Sequence, residues 1–379
     1  MSRPTRRRFM QVLGGGAAVL ATRPLFASGR AFAAPVASAG PAVANGDVLI
    51  NFNESPYGPS PKALDAIREV ELRFVNRYYP EDNYDTLRAA IAKYHGVTPD
   101  HVRATVGSTE VLKVCDDVFL SGGAPLVVAE PAYEAVLQYA ANSKANASKV
   151  PLTPDHRHDL PKMAAATTAT TGLVYICNPN NPTGTIVRKD EIAAFMARVP
   201  ASVTVLVDEA YAEFVDDPGY ESAVKYVKEG RNVIVAKTFS KIHGMAGMRV
   251  GYAIAKPDLI RKIAPFTTDF AISGATANAA AAALADSSYR AEVHKKNAAQ
   301  RTRFAAEMQR MKLECAESHA NFAMVNLRRP VKPVIDALAK RHVMVGREFP
   351  AMPTFLRVTF GTEPEMTAFY SAFGEVMRG

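Results

Sequence analysis

The chain has 379 residues, of which 48% are hydrophobic and 22% are charged, and its formal net charge at pH 7 is +8. These values are typical of a globular protein with a large apolar core and, at about 100–200 residues per domain, of about two domains. Six of the 45 basic residues fall in the first 33 positions. The remaining 39 basic and 37 acidic residues give a net charge of only +2, so the net charge provides no argument for nucleic-acid binding.

The first 33 residues contain no Asp, Glu or Lys. The segment T-R-R-R-F-M-Q at 5–11 resembles the twin-arginine export signal, a weakly apolar run follows at 12–26, and A-F-A at 31–33 offers a signal-peptidase site. A disordered basic tail is the alternative, and the run is shorter than the roughly 20 apolar residues of a membrane span. We predict a cleaved signal at 1–33, a periplasmic or secreted protein and no stable membrane association after cleavage.

The three cysteines are Cys115, Cys177 and Cys315. Their odd number and wide spacing are typical of neither a disulfide framework nor a zinc site. We therefore predict buried free thiols and no bound metal, while one disulfide in an oxidising compartment stays open at this point.

Residues 34–47 are rich in Ala, Pro and Gly and predict a flexible leader. Beyond it, short apolar runs rich in β-branched residues alternate with helical stretches. These runs cover 102–106, 126–129, 173–177, 203–207, 233–236 and 250–253. Nearly continuous apolar strands separated by helices predict an α/β fold with a mostly parallel sheet between two helical layers.

From about residue 265 the pattern changes. An Ala-rich helical region at 276–285 and a long helix to about 311 precede strands at 322–327, 343–345 and 355–360 and a closing helix. This order predicts a smaller α+β domain. We assign 34–74 to an N-terminal arm and part of the small domain, 75–265 to the large domain, and 266–379 to the small C-terminal domain.

Polar clusters follow several of the predicted strands. They are G-S-T-E at 107–110, the Asn- and Pro-rich segment 178–184, Asp208 and the segment 238–241. In open α/β sheets the ligand binds outside the carboxyl ends of the strands. The four clusters therefore predict one common site.

The most informative segment is K-T-F-S-K-I-H-G-M-A-G-M-R at 237–249. A Ser-Lys pair alone is typical of a solvated loop, but here Arg249 follows Lys241 by eight residues through a Gly-rich turn. The segment resembles the lysine segment of fold-type I aminotransferases, which use pyridoxal 5′-phosphate (PLP). The resemblance implies that Lys241, with Ser240 beside it, forms a Schiff base with the cofactor aldehyde and that Arg249 binds the cofactor phosphate.

Two further segments share this resemblance. V-D-E-A-Y at 207–211 ends a buried strand in a carboxylate, which is costly without a positive partner. The family implies that Asp208 keeps the pyridine nitrogen protonated so that the ring withdraws electrons, and that Tyr211 donates to the phenolic oxygen. A helix N-cap is the structural alternative for Asp208. N-P-N-N-P-T-G at 178–184 resembles the family loop that places an amide, here Asn181, beside the same oxygen.

Two weaker features complete the predicted cofactor site. Ser108 and Thr109 open a predicted helix, and the free N–H groups of a helix start bind phosphate well. Tyr133 matches the aromatic residue that stacks on the pyridine face in the family. Taken singly, these residues are equally consistent with a helix cap and a core aromatic.

Substrate contacts are predicted from the C-terminal part. L-R-V-T-F-G-T at 356–362 resembles the segment whose arginine, here Arg357, forks onto the substrate α-carboxylate. Arg347 matches an arginine that helps hold the substrate phosphate in histidinol-phosphate enzymes, with a solvent-facing strand arginine as the alternative. N-F-N-E-S-P-Y-G-P at 51–59 resembles a family segment whose tyrosine, here Tyr57, reaches the neighbouring subunit's cofactor phosphate, which implies a homodimer.

The resemblance covers about residue 48 to the end and is closest to the histidinol-phosphate type. The sequence departs from this type at Ser55, where the family has Asn, and at His243. The export signal is a third departure, because histidinol phosphate is a cytoplasmic intermediate. The predicted function is transfer of an amino group from an L-amino acid to a 2-oxo acid, with Lys241 as general base and acid. The alternatives are an amino-acid oxidase or hydroxylase, as in arginine-oxidising relatives, a decarboxylase, and a binding protein without turnover.

Overall fold

The computed structural model describes residues 46–74, 76 and 84–378. The predicted signal peptide at 1–33 and most of the predicted leader lie outside the described residues. The helices are α1 (Pro61–Phe74), α2 (Asp85–His95), α3 (Ser108–Phe119), α4 (Ala135–Asn142), α5 (Leu160–Ala166), α6 (Lys189–Arg198), α7 (Val224–Lys228), α8 (Pro257–Ile263), α9 (Gly274–Ala285), α10 (Ser287–Arg310), α11 (Lys332–Ala339) and α12 (Glu363–Arg378). The strands are β1 (Val48–Leu49), β2 (Val102–Thr105), β3 (Leu126–Glu130), β4 (Ala147–Pro151), β5 (Leu173–Cys177), β6 (Thr204–Asp208), β7 (Val233–Thr238), β8 (Gly251–Ala255), β9 (Glu314–Cys315), β10 (Phe322–Asn326), β11 (Val343–Met344) and β12 (Phe355–Thr359).

The large sheet has the strand order β2-β8-β7-β6-β5-β3-β4. Strands β3 to β7 run parallel, and β8 pairs antiparallel with both β7 and β2. The predicted mostly parallel sheet is confirmed. The sequence analysis missed the edge strand β4, because its sequence A-S-K-V-P buries only Val150 and lacks the continuous apolar run of a central strand.

Helices cover both faces of this sheet, as predicted. One face packs on α2, α5, α6, α7 and α9, and the other on α3, α4 and α8. The alternation of side chains along each strand divides them between the two faces. Tyr175 and Cys177 of β5 therefore share a face with Leu206 of β6, on the α3 side.

The Ala-rich helix α9 packs closely against α1 and α2. Its small side chains permit this approach, and Ala277 and Ala280 lie in the same buried cluster as Ala63 of α1 and the large sheet. The Ser273 hydroxyl begins α9 by accepting from the Thr276 amide at 3.1 Å. Ala63 of α1 and the alanines of α9, which were predicted to belong with the small domain, thus share a buried cluster with the large sheet.

The C-terminal part contains the predicted strands and closing helix. An antiparallel sheet has the order β12-β10-β9, and β1 pairs parallel with β11. Phe304 of α10 and Phe369 and Phe373 of α12 are buried against these strands. This core also includes Ile50, which follows β1, and the neighbouring residues Leu356 and Val358 of β12, the strand that carries Arg357.

The described residues include no helix that is both long and apolar enough to cross a membrane. Cys115, Cys177 and Cys315 are free thiols, as predicted, and the first two are buried.

Candidate active site

A cavity of about 900 Å³ lies at the carboxyl ends of β5, β6 and β7. It is lined by the predicted site residues Ser108, Thr109, Tyr133, Asn181, Asp208, Tyr211, Ser240, Lys241, Arg249, Arg347 and Arg357. Tyr57 does not line this cavity; the ammonium group of Lys296 lies 4.9 Å from the centroid of its ring. The structure thus brings together side chains spread over some 250 residues of chain. Those of the large sheet meet because parallel strands end at one edge, whereas Arg347 and Arg357 reach the cavity from the C-terminal part.

Lys241 extends into the cavity from the turn after β7. Its Nζ donates to the Phe52 carbonyl oxygen at 3.2 Å and lies 5.5 Å from the centroid of the Tyr211 ring. Burial, reinforced by the charge of Arg357, lowers the pKa of Lys241 to about 8. A substantial fraction of this lysine is therefore a neutral amine at mildly alkaline pH, the form that attacks aldehydes and accepts protons.

Asp208 ends β6 and is only 4% exposed. Its Oδ1 accepts from the Ala210 amide at 3.1 Å, and its Oδ2 accepts from the Tyr175 hydroxyl at 3.0 Å. Burial raises the pKa of Asp208 to about 6, against the effect of these two donors. Within the described part of the chain this carboxylate forms no salt bridge, so it is ready to meet a cationic partner in the cavity.

Tyr175 is a functional contact that the sequence analysis missed. It is fully buried on β5, two residues before Cys177, which pairs in register with Asp208. A residue two positions from the paired one is a diagonal neighbour, within reach of a long aromatic side chain. Strand register and alternation together provide the signal that identifies Tyr175 as a partner of Asp208.

A chain of polar contacts joins Tyr211 to Arg357. The Tyr211 hydroxyl accepts from Asn53 Nδ2 at 3.2 Å and from Asn181 Nδ2 at 3.5 Å. Asn181 Oδ1 in turn accepts from Arg357 Nη1 at 2.8 Å. Asn53, which the sequence analysis did not select, is fixed by the hydroxyl of Thr359 on β12. The side-chain amide of Asn181 thus connects Tyr211, in the predicted cofactor site, with Arg357, in the predicted substrate site.

At the start of α3, Gly107, Arg249 and Ser240 form a small polar cradle. Gly107 has φ +75°, and a Cβ there would lie 2.7 Å from Arg249 Nη2, so only glycine allows this close approach. Arg249 Nη1 donates to Ser240 Oγ at 3.3 Å, and α3 begins at Ser108 without a side-chain cap. Free helix N–H groups, a guanidinium and a hydroxyl together make an anion site.

The two predicted substrate arginines differ in their surroundings. Arg357 is 8% exposed, its Nη2 donates to the Asn51 carbonyl at 2.9 Å, and its Nε has no hydrogen-bond partner among the described residues. Arg347 has 54% of its side chain exposed and forms an ion pair with Glu134, a residue the sequence analysis did not select. Arg357 is thus a positioned, uncompensated cation, whereas the charge of Arg347 is already paired.

The sequence profile of the family described as aminotransferase class I and II matches residues 47–373. The chain belongs to this family. The histidinol-phosphate aminotransferase of Moorella thermoacetica is 37% identical over 333 residues, which cover 87% of this chain and 85% of the relative. The solved histidinol-phosphate aminotransferase of Sinorhizobium meliloti, in complex with pyridoxal-5′-phosphate, has a TM-score of 0.80 and 28% identity, covering 87% of this chain and 90% of that one.

A Thermus thermophilus aspartate aminotransferase double mutant is similar in fold alone, with a TM-score of 0.78 at 18% identity, covering 88% of this chain and 91% of that one. The predicted fold type I is confirmed by these similarities. The predicted enzyme class, a PLP-dependent aminotransferase, and its cofactor are confirmed as well.

The cavity of this aminotransferase fits PLP. The cradle of Gly107, Ser240 and Arg249, together with the start of α3 at Ser108, would hold the phosphate, and the buried carboxylate of Asp208 would hold the protonated ring nitrogen. Tyr133 lines the cavity and would provide an aromatic face for the ring. When bound, PLP supplies an aldehyde that takes up an amino group and a ring that withdraws electrons from the α-carbon.

A buried ion cluster adjoins the site of the aminotransferase. Lys237 Nζ lies 3.3 Å from Glu209 Oε2 and 2.9 Å from Glu213 Oε1. Although burial opposes it, the charges of the two glutamates keep the pKa of Lys237 well above its usual value. The buried ring of His243 packs 4.8 Å from that of Phe239, and burial lowers its pKa to about 4. His243 is thus a neutral packing residue of the loop.

Proposed function

We propose that the aminotransferase takes its amino group from a free L-α-amino acid, whose α-carboxylate Arg357 binds, and that a 2-oxo acid is the acceptor. The observation that carries the proposal is that Arg357 is the buried guanidinium of the cavity wall, fixed by Asn181 and by the Asn51 carbonyl. Because these two hydrogen bonds fix the planar guanidinium of Arg357, its remaining N–H groups point in a fixed direction. This geometry suits a carboxylate, which accepts two parallel hydrogen bonds.

Lys241 is the group that moves the proton in this proposal. Its lowered pKa allows the amine to remove the proton from the α-carbon as a general base and to return it as a general acid. Asp208 stabilises positive charge at the ring nitrogen site. Asn181 and Tyr211 place a hydrogen-bond network beside the ring, and Asn181 couples that network to Arg357.

The predicted export signal favours a free amino acid over histidinol phosphate. The curated relatives are named histidinol-phosphate aminotransferases. The predicted twin-arginine signal would remove the enzyme from the compartment in which histidinol phosphate is made. Twin-arginine export carries folded proteins, which suits an enzyme that binds its cofactor before it leaves the cytoplasm.

The function is tested by mixing the enzyme with neutral, basic and acidic amino acids, with and without oxygen. We expect each reactive amino acid to yield its 2-oxo acid without oxygen consumption. Arg357→Lys keeps a charge but loses the fork, so its affinity for all of them should fall by roughly ten- to a hundredfold, since charge-assisted hydrogen bonds contribute about 1.5–3 kcal/mol.

Arg347→Gln provides the contrasting variant. It should weaken only substrates with an acidic or strongly polar tail, because Arg347 lies at the exposed side of the cavity. Absorbance changes of the bound cofactor measure both variants on one panel. A uniform loss in Arg347→Gln with no loss in Arg357→Lys would reverse the two assignments.

We further propose that residues 1–33 direct export and that the mature enzyme is a homodimer in which Tyr57 reaches the partner's cofactor phosphate. Two aromatic side chains support an interface, since Phe52 beside the cavity is 70% exposed and Phe266 is 54% exposed. The mass of the protein recovered from the periplasm should correspond to cleavage after Ala33, and sedimentation should give twice the chain mass. An uncleaved protein in the cytoplasm would contradict the export signal. A monomer with full activity would contradict the homodimer.

A further inference from the structure

Glu134 brings a negative charge to the substrate end of the cavity. It precedes α4 and lies next to Tyr133, and its carboxylate forms an ion pair with Arg347. Phe349 separates the two arginines, with its ring centroid 4.3 Å from the Arg347 guanidinium carbon and 5.1 Å from that of Arg357. Two cations and one anion therefore lie together in the lining of the cavity, where the proposed function places the substrate's α-carboxylate.

The charges of these three side chains sum to +1. The positive charge of Arg357 is not paired with a carboxylate, because its hydrogen bonds go to the neutral Asn181 side chain and the Asn51 carbonyl. The charge of Arg347 is compensated by Glu134. A carboxylate carries one negative charge and matches this sum, whereas a phosphate monoester carries about −1.5 to −2 at neutral pH.

A substrate phosphate needs both guanidiniums to balance its charge. To use Arg347 it must displace Glu134, which then stays beside the phosphate as a like charge. A second carboxylate in the substrate tail meets the same obstacle. A neutral or cationic tail does not, because it leaves the Arg347–Glu134 pair intact or contacts the carboxylate favourably.

We propose that Glu134 is a specificity-determining residue that restricts this aminotransferase to substrates with a single anionic group, the α-carboxylate, and a neutral or basic tail. The inference rests on the proposed function, in which Arg357 binds that carboxylate. It narrows the substrate class: phosphorylated amines and acidic amino acids are excluded by charge repulsion rather than by a lack of space.

Two matched substrate pairs test this role. L-histidine and histidinol phosphate share the imidazole and differ in the anionic group, and L-glutamine and L-glutamate differ in the charge of the tail. The wild-type holoenzyme should prefer the first member of each pair in kcat/KM. In Glu134→Gln both preferences should fall by about three- to fivefold, the effect expected for the loss of one partly exposed ion pair.

Glu130→Gln is the matched control, because Glu130 is also paired, with Lys149 at 2.8 Å, but does not line the cavity. It should leave both preferences within twofold. Unchanged preferences in Glu134→Gln, an equal loss for all four substrates, or the same shift in the control would each overturn the role of Glu134.

A binding measurement separates this inference from the proposed function. Calorimetric titration of the holoenzyme with inorganic phosphate and with acetate requires no turnover. Glu134→Gln should bind phosphate about three- to fivefold more tightly, with acetate changed by less than twofold. If no amino acid reacts but this binding shift occurs, the proposed function fails and the charge role of Glu134 stands. If amino acids react but the shift is absent, Glu134 is not the specificity residue.

Discussion

Lys241→Ala is expected to remove the covalent link between enzyme and cofactor and to lower turnover by at least roughly 10²–10⁴-fold, the contribution of a positioned general acid or base. The wild-type protein should absorb visible light as a lysine-bound cofactor, and the variant should not. Borohydride reduction followed by peptide mapping should place the label on Lys241. Lys262→Ala, at the surface over Phe119, is the control and should retain the link.

Lys237 makes this labelling experiment selective. It lies only four residues before Lys241, but its salt bridges to Glu209 and Glu213 keep it protonated, whereas burial lowers the pKa of Lys241 to about 8. Only the neutral amine attacks an aldehyde, so covalent uptake by the cofactor-free protein should accelerate as the pH rises through about 8 and level off above it. A label on Lys237 or any other lysine would contradict the assignment.

The parallel strands and the location of the site are predictable from the sequence because their signals are local. The runs at 173–177, 204–208 and 233–238 are mostly apolar and rich in β-branched residues, and every position in them is buried, as in strands covered on both faces. Each ends in polar residues at the edge where parallel strands meet. The motif around Lys241 then specifies the chemistry that this edge supports.

The supporting contacts were not predictable in the same way, because they depend on register and packing. Tyr175 reaches Asp208 only because β5 and β6 pair with Cys177 opposite Asp208. Glu134 meets Arg347 across 213 residues of sequence, and nothing near either residue indicates the pair. The packing of α9 with the core of the large sheet could not be predicted either, since an Ala-rich helix is apolar on all sides and its sequence does not indicate which core it joins.

The packing of the aminotransferase links its two parts through the site itself. Asn181 belongs to the loop after β5, and Arg357 belongs to β12 of the C-terminal sheet. Their hydrogen bond of 2.8 Å crosses from the predicted cofactor site to the predicted carboxylate site. A substrate bound at Arg357 would therefore lie two hydrogen bonds away from the Tyr211 hydroxyl, through the side chain of Asn181.

Asp208→Asn is the second variant with a large expected effect. The substitution preserves the side-chain shape but removes the charge that keeps the ring nitrogen protonated. Loss of one partner of a buried charge pair costs about 3–5 kcal/mol, which corresponds to roughly 10²–10⁴-fold in rate. Cofactor binding should persist, because the cradle of Gly107, Ser240 and Arg249 and the side chain of Lys241 are untouched.

Tyr175→Phe should have an intermediate effect, since it removes one hydrogen bond to the carboxylate, about 1.5–3 kcal/mol for a charged acceptor. The Tyr175 hydroxyl lowers the pKa of Asp208, so its loss should raise that pKa and move the acid limb of the rate profile to higher pH. A merely structural role of Tyr175 would lower stability without moving this limb.

Single-turnover deprotonation of an α-deuterated amino acid measures the rate in each variant, and fluorescence titration measures cofactor binding. Together they distinguish an effect of Asp208 and Tyr175 on the rate from an effect on cofactor binding. Asp116→Asn is the control, a buried carboxylate bonded to the Ser143 hydroxyl and outside the cavity lining. The deprotonation rate should fall in the order wild type, Tyr175→Phe, Asp208→Asn, with the cofactor still bound in all three and Asp116→Asn equal to wild type. An undiminished rate in Asp208→Asn would show that the ring nitrogen does not depend on this carboxylate.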